Sequence, residues 1–363
     1  MGTGFDIAIV GAGMAGASLA AAIGTRARVL MLEAEDRPGY HATGRSAAFW
    51  TESYGGPGVQ PLTTASGPVL RDLGVLTPRS ALTLGRAGQE REVEAFAARF
   101  VAAGVDVKVL GRAEIAERVQ GLRANWTSGA LEPSTCDIDV AALHQHYLAQ
   151  AQRAGTQLWC RAGLVAAERG VTGWALTLAD GRQASAGVLV NAAGAWADPV
   201  AQIAGLDPLG IAPFRRTIAQ LGVAVPVPDD LPLVLDVAET FYFKPESGRL
   251  WLSPHDETPS IACDAAPEEI DVALAVDRFE QVVDWPVTRV EHRWAGLRSF
   301  APDRLPVYGF APQDEGFFWF AGQGGFGIQT APAAADLAAR LLLREPPGAV
   351  DPLPFGPGRL NLR

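Results

Sequence analysis

The opening of the chain, up to Glu33, leaves it few folds to adopt. Phe5-Asp6-Ile7-Ala8-Ile9-Val10 reads as a buried strand and Gly11-Ala12-Gly13-Met14-Ala15-Gly16 as a glycine turn. An Ala-rich helical run follows, and Val29-Leu30-Met31-Leu32 is a second strand that ends at Glu33. Strand, glycine turn, helix and strand with an acid at the second tip is the order of a dinucleotide-binding unit. Gly11 permits the tight turn, Gly13 lets a pyrophosphate approach the backbone, and Gly16 lets the helix lie close on the strand. The helix N-terminus offers free N–H groups and a positive dipole end to phosphates. Glu33 is placed to accept hydrogen bonds from a ribose 2′-OH and would repel a 2′-phosphate.

The rest of the composition narrows the partners. At 363 residues, two domains or two intimately packed lobes are expected. A net charge of −10 argues against nucleic acid and anionic membranes. Cys136, Cys160 and Cys263 are odd in number and form no CxxC, and the five histidines are scattered, so no metal site is expected. No apolar run approaches the roughly 20 residues that span a bilayer. No basic leader precedes the glycine motif, and a cytoplasmic protein is expected.

Further along, Arg37–Ala48 is a small-residue loop that leads toward a helix start. Amphipathic helices are expected over 88–105 and from Asp139 to Ala154, the second capped by Asp139. Strands then run through Val165-Ala166-Ala167-Glu168 and Val188-Leu189-Val190, the last feeding Asn191-Ala192-Ala193-Gly194-Ala195-Trp196. Residues 211–300 alternate as an antiparallel sheet would, with a hairpin across Pro245-Glu246-Ser247-Gly248. Phe317-Phe318-Trp319-Phe320 is a buried strand that runs into a second glycine turn, Gln323-Gly324-Gly325-Phe326-Gly327. Three turns of small residues at strand ends imply one long cofactor, and FAD suits that length better than NAD. The expected fold is α/β. A Rossmann-like FAD domain is drawn from 1–50, 140–210 and 301–363, and an α+β substrate domain on a mostly antiparallel sheet from 51–139 and 211–300. The Pro/Gly-rich tail after Arg344 is expected to be partly mobile.

These stretches together resemble the FAD-dependent amine and amino-acid oxidoreductases of the D-amino acid oxidase type, with the D-arginine dehydrogenase branch most similar in look. The resemblance rests on Gly11–Gly16 with Glu33, on Tyr40–Ala48, on Val190–Trp196, on Phe241-Tyr242-Phe243-Lys244-Pro245, on Trp294–Phe300 and on Gln323–Gln329. It implies non-covalent FAD, hydride transfer from substrate Cα to flavin N5, and hydrolysis of the imino acid to a 2-oxo acid and ammonia. No cysteine follows Cys263, which excludes the covalent attachment some sarcosine oxidases use. The cofactor positions so implied are Gly11, Gly13, Ala15, Gly16, Glu33 and Ala34 at the first turn, and Gly44, Arg45, Ser46, Ala47 and Ala48 in the loop. Val165, Ala193, Gly194 and Trp196 follow, and then Arg298, Gly324, Gly325, Gly327, Ile328 and Gln329.

An amino-acid substrate brings a carboxylate, for which a guanidinium fork is the best clamp. The resemblance assigns that role to Arg298, with Arg216 and Tyr242 beside it; Arg215 competes with Arg216. Tyr54 matches a tyrosine on a loop over the flavin, and Gly55-Gly56-Pro57-Gly58 would hinge that loop. Two departures stand out. The acid that meets a cationic substrate in the arginine enzymes is replaced by Ala81, and their active-site histidine by Phe49. With Leu233 and Leu235 as further wall positions and Gln329 at the rim, an apolar pocket for hydrophobic D-amino acids is expected. A bulky Phe49 equally suits a small substrate. Glycine, N-methyl amino acids and 2-hydroxy acids present the same carboxylate. No general base is evident. The electron acceptor, O₂ or a quinone, is open, although neither Lys108 nor Lys244 matches a lysine near N5, which points toward a dehydrogenase.

Overall fold

A computed structural model describes residues 4–360. The strand Gly4–Val10 lies inside an eight-stranded sheet, parallel to Val29–Leu32 on one side and to Gln183–Asn191 on the other. Gln157–Trp159 and Asp314–Ala321 extend the parallel part. Leu164–Gly170 and Gly173–Leu178 continue it as an antiparallel meander. Alternate residues serve opposite cores. Ile7, Ile9, Phe318 and Phe320 pack beneath helices Met14–Ile23, Val140–Arg153 and Ala331–Leu342. Ala8, Val10, Phe317 and Trp319 pack with helix Ala197–Ile203 on the other face. Burial on both faces explains why these strands read as continuous apolar runs.

The glycine turn behaves as its spacing demands. A Cβ on Gly16 would stand 1.9 Å from the Gly11 carbonyl oxygen, so the helix lies as close to the strand as glycine allows. Gly11 adopts φ +102°, and a Cβ there would meet the Ala192 carbonyl oxygen at 2.5 Å. The expected helix after Asp139 spans Val140–Arg153, and the Asp139 carboxylate accepts a hydrogen bond from Ala142 N at 2.9 Å.

The second sheet has ten strands. Ala212–Val223 and Val287–Phe300 pair antiparallel along most of their lengths. Arg249–Ser253, Tyr242–Glu246 and Leu233–Asp236 follow across the sheet. Ser247 and Gly248 both take positive φ, the turn that matches the twist of a two-residue hairpin. Ala81–Arg86 then joins Leu233–Asp236 in parallel, the one departure from antiparallel order in this sheet among the described residues. Its neighbour Trp126–Glu132 restores the antiparallel order.

Three segments differ from expectation. The Arg37–Ala48 loop does not start an α-helix. It makes a 3-10 turn over Ala42–Arg45 and then extends into Phe49–Trp50, a short strand paired with Cys136–Ile138. Two adjacent buried aromatics favour that pairing over a helical turn. The segment allotted to the substrate domain also contributes to the first core: helix Gln60–Asp72 buries Leu62 and Leu70 there. As far as Leu360, the tail after Arg344 is packed rather than loose. Phe355 is buried against Tyr308 with ring centroids 5.6 Å apart, and Arg359 pairs with Asp303 at 2.7 Å.

Candidate active site

A cavity of about 430 Å³ runs along the carboxyl ends of the first sheet's central strands and reaches under the second sheet. At one end it is walled by Gly11, Gly13, Ala15, Glu33 and Ala34. Glu33 accepts hydrogen bonds from Ala12 N and Glu35 N, both at 3.0 Å, which fixes its carboxylate at the strand tip. The Thr43 hydroxyl accepts from Met14 N at 2.9 Å. With Ala12 and Met14 so engaged, Gly13 and Ala15 present the open backbone of the turn to the cavity. A Cβ on Gly13 would meet only the Thr43 hydroxyl, at 3.1 Å, so that side stays clear for a bulky anion.

The middle of the cavity is lined by Arg45, Ser46, Ala47, Ala193, Gly194 and Trp196. Arg45 pairs with Asp264 at 2.9 Å, and the Tyr40 hydroxyl donates to the same carboxylate at 2.9 Å. Gly296 faces Arg45 so closely that a Cβ would stand 3.0 Å from the arginine Cβ. Gly324, Gly325, Gly327 and Ile328 close the far wall. An acid at one end, open N–H groups at a helix start and a long slot beyond them fit a dinucleotide that ends in a flat ring system.

Several expected cofactor positions stand elsewhere. Gly16 serves the helix–strand contact rather than the cavity wall. Gly44 is exposed on the outer side of the Ala42–Arg45 turn, and Ala48 packs against the first core. Val165 points to solvent, 52% exposed, because strand alternation turns its neighbour Leu164 inward; Gly163 and Leu164 line the cavity in its place. Gln329 is a buried brace and does not line this cavity. Its side-chain oxygen accepts from Thr51 N at 3.4 Å, and its amide donates to Tyr54 O at 3.1 Å and to the Thr63 hydroxyl at 3.0 Å.

The other end of the cavity is built from side chains. Arg298 sits deep between the sheets, and the cavity opens onto it. Its Nη1 donates to the Tyr54 hydroxyl at 2.5 Å, and no carboxylate among the described residues pairs with it. Arg216, 4% exposed, donates Nε to Asp256 O at 2.7 Å and Nη2 to Glu257 at 3.2 Å. Its Nη1 is buried without a partner. Burial first, and then the charge on Arg298, pull the Arg216 pKa below its ordinary value. Two crowded cations with an orphaned donor make a site that favours an anion. Arg215, one residue earlier on the strand, faces the other way and pairs with Glu268 and Asp271.

Beside the arginines lies an apolar cluster of Ala47, Phe49, Ala81, Ile218, Leu233 and Tyr242, with Tyr54 and Leu235 packed against it. Only Ala47, Ile218 and Tyr242 of these line the cavity, whereas the expected wall positions Phe49, Ala81, Leu233 and Leu235 stand behind them, because strand pairing and burial turn them into the core. The Phe49 ring contacts both tyrosines, with centroids 5.1 Å from Tyr54 and 5.9 Å from Tyr242. Lys244 stands outside the cavity wall, its ammonium held by Asp137 at 2.8 Å and Glu246 at 3.0 Å.

One residue escaped the sequence reading. His255 faces Tyr242 and Tyr54 edge-on, at centroid distances of 5.8 and 6.5 Å. Burial, and then the charges of Arg216, Arg298, Arg278 and Arg304, hold its imidazole pKa down to about 2. The ring is therefore neutral at physiological pH. Its only sequence signal was the His255-Asp256-Glu257 run at the end of a strand, where Asp256 and Glu257 also hold Arg216. Among the described residues no group of His, Cys, Asp and Glu could hold a metal ion, and no helix is long and apolar enough to cross a membrane.

Known proteins share both sequence and shape with this chain. Hydrogen cyanide synthase subunit HcnC of Pseudomonas aeruginosa is 26% identical over 66% of the chain, and glycine oxidase of the same organism 30% identical over 47%. The alignments take in 57% and 45% of those relatives' own lengths. In three dimensions the chain superposes on glycine oxidase from Geobacillus kaustophilus with a TM-score of 0.85 at 23% identity, over 97% of this chain and 98% of the other. It superposes on L-proline dehydrogenase from P. horikoshii with a TM-score of 0.86 at 18% identity, over 99% and 98%. The DAO family model, FAD dependent oxidoreductase, matches residues 6–341, and the chain belongs to that family.

Proposed function

We propose that this protein oxidises an amino acid at its Cα–N bond, with D-amino acids bearing hydrophobic side chains as its preferred substrates. The observation that carries the reading is Arg298, set deep at the end of the cofactor cavity without a carboxylate partner. The substrate carboxylate would supply that partner, held by Arg298 and the orphaned Nη1 of Arg216 with the Tyr54 hydroxyl alongside. Tyr242 would orient the substrate from the other side, and Ala47 and Ile218 would wall its side chain, backed by Phe49, Ala81, Leu233 and Leu235. Ala81 leaves no acid for a distal cation, so arginine and lysine would bury an unpaired charge.

FAD, when bound, accepts the α-hydrogen with its electron pair. Gly13, Ala15 and Glu33 would hold its nucleotide half, and Arg45, Ser46, Ala47 and the Gly324–Gly327 turn its ring half. The far wall holds no cysteine, and Cys263 lines the cavity beside Asp264 instead, so the binding would be non-covalent by the far-wall route. The two arginines disfavour an ammonium beside them, so the substrate amine would react in its neutral form. Water then hydrolyses the released imino acid to a 2-oxo acid and ammonia.

A second reading draws on Phe49, whose contact with both tyrosines narrows the pocket. Glycine or an N-methyl amino acid would fit the smaller space, and a 2-hydroxy acid offers the same carboxylate. Anaerobic titration of the purified flavoprotein separates these readings. Bleaching of the flavin by D-Phe, D-Met or D-Leu, and not by the L-forms, is the expected result. Bleaching by glycine or sarcosine alone would move the assignment to the second reading. No bleaching by any amino acid would overturn amino-acid oxidation.

A further inference from the structure

Tyr54 reaches Arg298 from a turn that owes its position to two buried side chains from opposite parts of the molecule. The Thr51–Tyr54 segment closes on itself through a single backbone bond, Tyr54 N to Thr51 O at 3.3 Å. On one side Gln329 holds both ends of the turn, as described above. On the other, Glu132 ends the strand Trp126–Glu132, where its cross-strand partner is Ala81. Glu132 is 2% exposed, and its carboxylate accepts from Glu52 N at 2.7 Å and from Ser53 N at 3.3 Å. No cation pairs with it among the described residues; the Ser53 hydroxyl also donates to it, and the Ser134 hydroxyl stands at 3.4 Å. The residues after the turn, Gly55 and Gly56, take positive φ.

A sheet does not need an acid at such a place. Burial raises the Glu132 pKa against the Ser53 hydroxyl and the two N–H bonds that lower it, and the nearby Glu52 charge adds to the rise. An apolar residue would end the strand at lower cost, whereas a carboxylate can receive two consecutive N–H groups and so fix the direction in which the next side chain leaves. That next side chain is Tyr54.

We infer that Glu132 is a positioning residue for the substrate-carboxylate clamp: it fixes the Glu52–Ser53 peptides so that the Tyr54 hydroxyl meets Arg298. The inference rests on the clamp reading given above. In Glu132→Gln one acceptor oxygen becomes an NH₂ group that opposes a backbone N–H, and the turn loses its direction. In Glu52→Pro the stronger of the two donors is removed, at a turn position that tolerates proline.

The test uses the FAD-loaded protein and benzoate, a carboxylate with no amine to oxidise, with the flavin spectrum reporting its Kd. Tyr54→Phe, Glu132→Gln and Glu52→Pro should each weaken benzoate by about tenfold, the effect of losing one charge-assisted hydrogen bond. With the best amino-acid substrate, the same variants should raise KM with kcat nearly unchanged and with flavin content intact. In the Tyr54→Phe background, Glu132→Gln should add little further loss, because its effect passes through the missing hydroxyl. Full additivity in that double variant, or wild-type Kd in Glu132→Gln, would overturn the role of Glu132. If Glu132→Gln does not fold, Glu52→Pro decides by the same criteria. Arg298→Ala, titrated in parallel, separates the two levels. Unchanged benzoate affinity there would sink the clamp itself, whereas weakened affinity there with none lost in Glu132→Gln would sink this inference alone.

Discussion

The two ends of the cavity are built by opposite means. At the nucleotide end the contacts are backbone: a glycine turn, open N–H groups and one acid held by Ala12 N and Glu35 N. At the end proposed for the substrate they are long side chains drawn from separate strands and loops, with Arg216 and Arg298 on strands and Tyr54 and His255 on loops crowded together. A backbone site tolerates varied side chains but no added Cβ at its glycines. A side-chain site tolerates varied backbone but depends on each functional group. The first kind of site binds what a whole family shares, and the second selects what one member accepts.

Gly16→Val should have the largest effect and fall on the nucleotide end. With a carbonyl oxygen 1.9 Å from the new Cβ, helix and strand must separate. That costs about 3 kcal/mol or more, so the protein should purify with little flavin and a lowered Tm. Normal flavin content would break the claim that this end is set by backbone approach. Arg298→Ala comes next. It should raise KM by roughly 30- to 1000-fold, the range for truncating one partner of a buried charge pair, while flavin stays bound. Equal loss of flavin and substrate affinity would mean that the two ends are not separable.

The smallest effect concerns His255. Its folded pKa of about 2 lies below the ordinary histidine value of 6.5, so the unfolded chain takes up a proton that the folded protein refuses. Stability from this group is complete above the unfolded pKa and declines as pH falls below it, by about 1–2 kcal/mol between pH 7 and pH 5. His255→Asn should remove that slope, so its Tm should fall less than the wild-type Tm over the same interval. Parallel pH curves for the two proteins would show that the imidazole is not held neutral by its surroundings.

The same contrast explains what the sequence revealed. Gly11–Gly16, Glu33 and Asn191–Trp196 were legible because each piece of the nucleotide end is contiguous and its spacing is set by backbone geometry. Arg298 and Tyr242 were picked out through motif resemblance, and both line the cavity. His255 and Glu132 were not, because their surroundings come from distant strands and loops and neither carries a local pattern. Gln329 sits in a cofactor-like motif yet braces the Tyr54 turn, and Val165 lost its place to strand alternation. The tail misled by composition: proline and glycine there shape 3-10 turns that seat Phe355 on Tyr308.

The paired guanidiniums have one more consequence, which concerns approach rather than grip. The chain carries a net −10, so an anionic ligand drifts toward a surface that on average repels it. Added salt screens that repulsion over a Debye length of about 8 Å at physiological ionic strength but hardly reaches a charge set deep between two sheets. Capture of an anion such as benzoate should therefore quicken as ionic strength rises, while its escape from Arg298 keeps nearly the same rate.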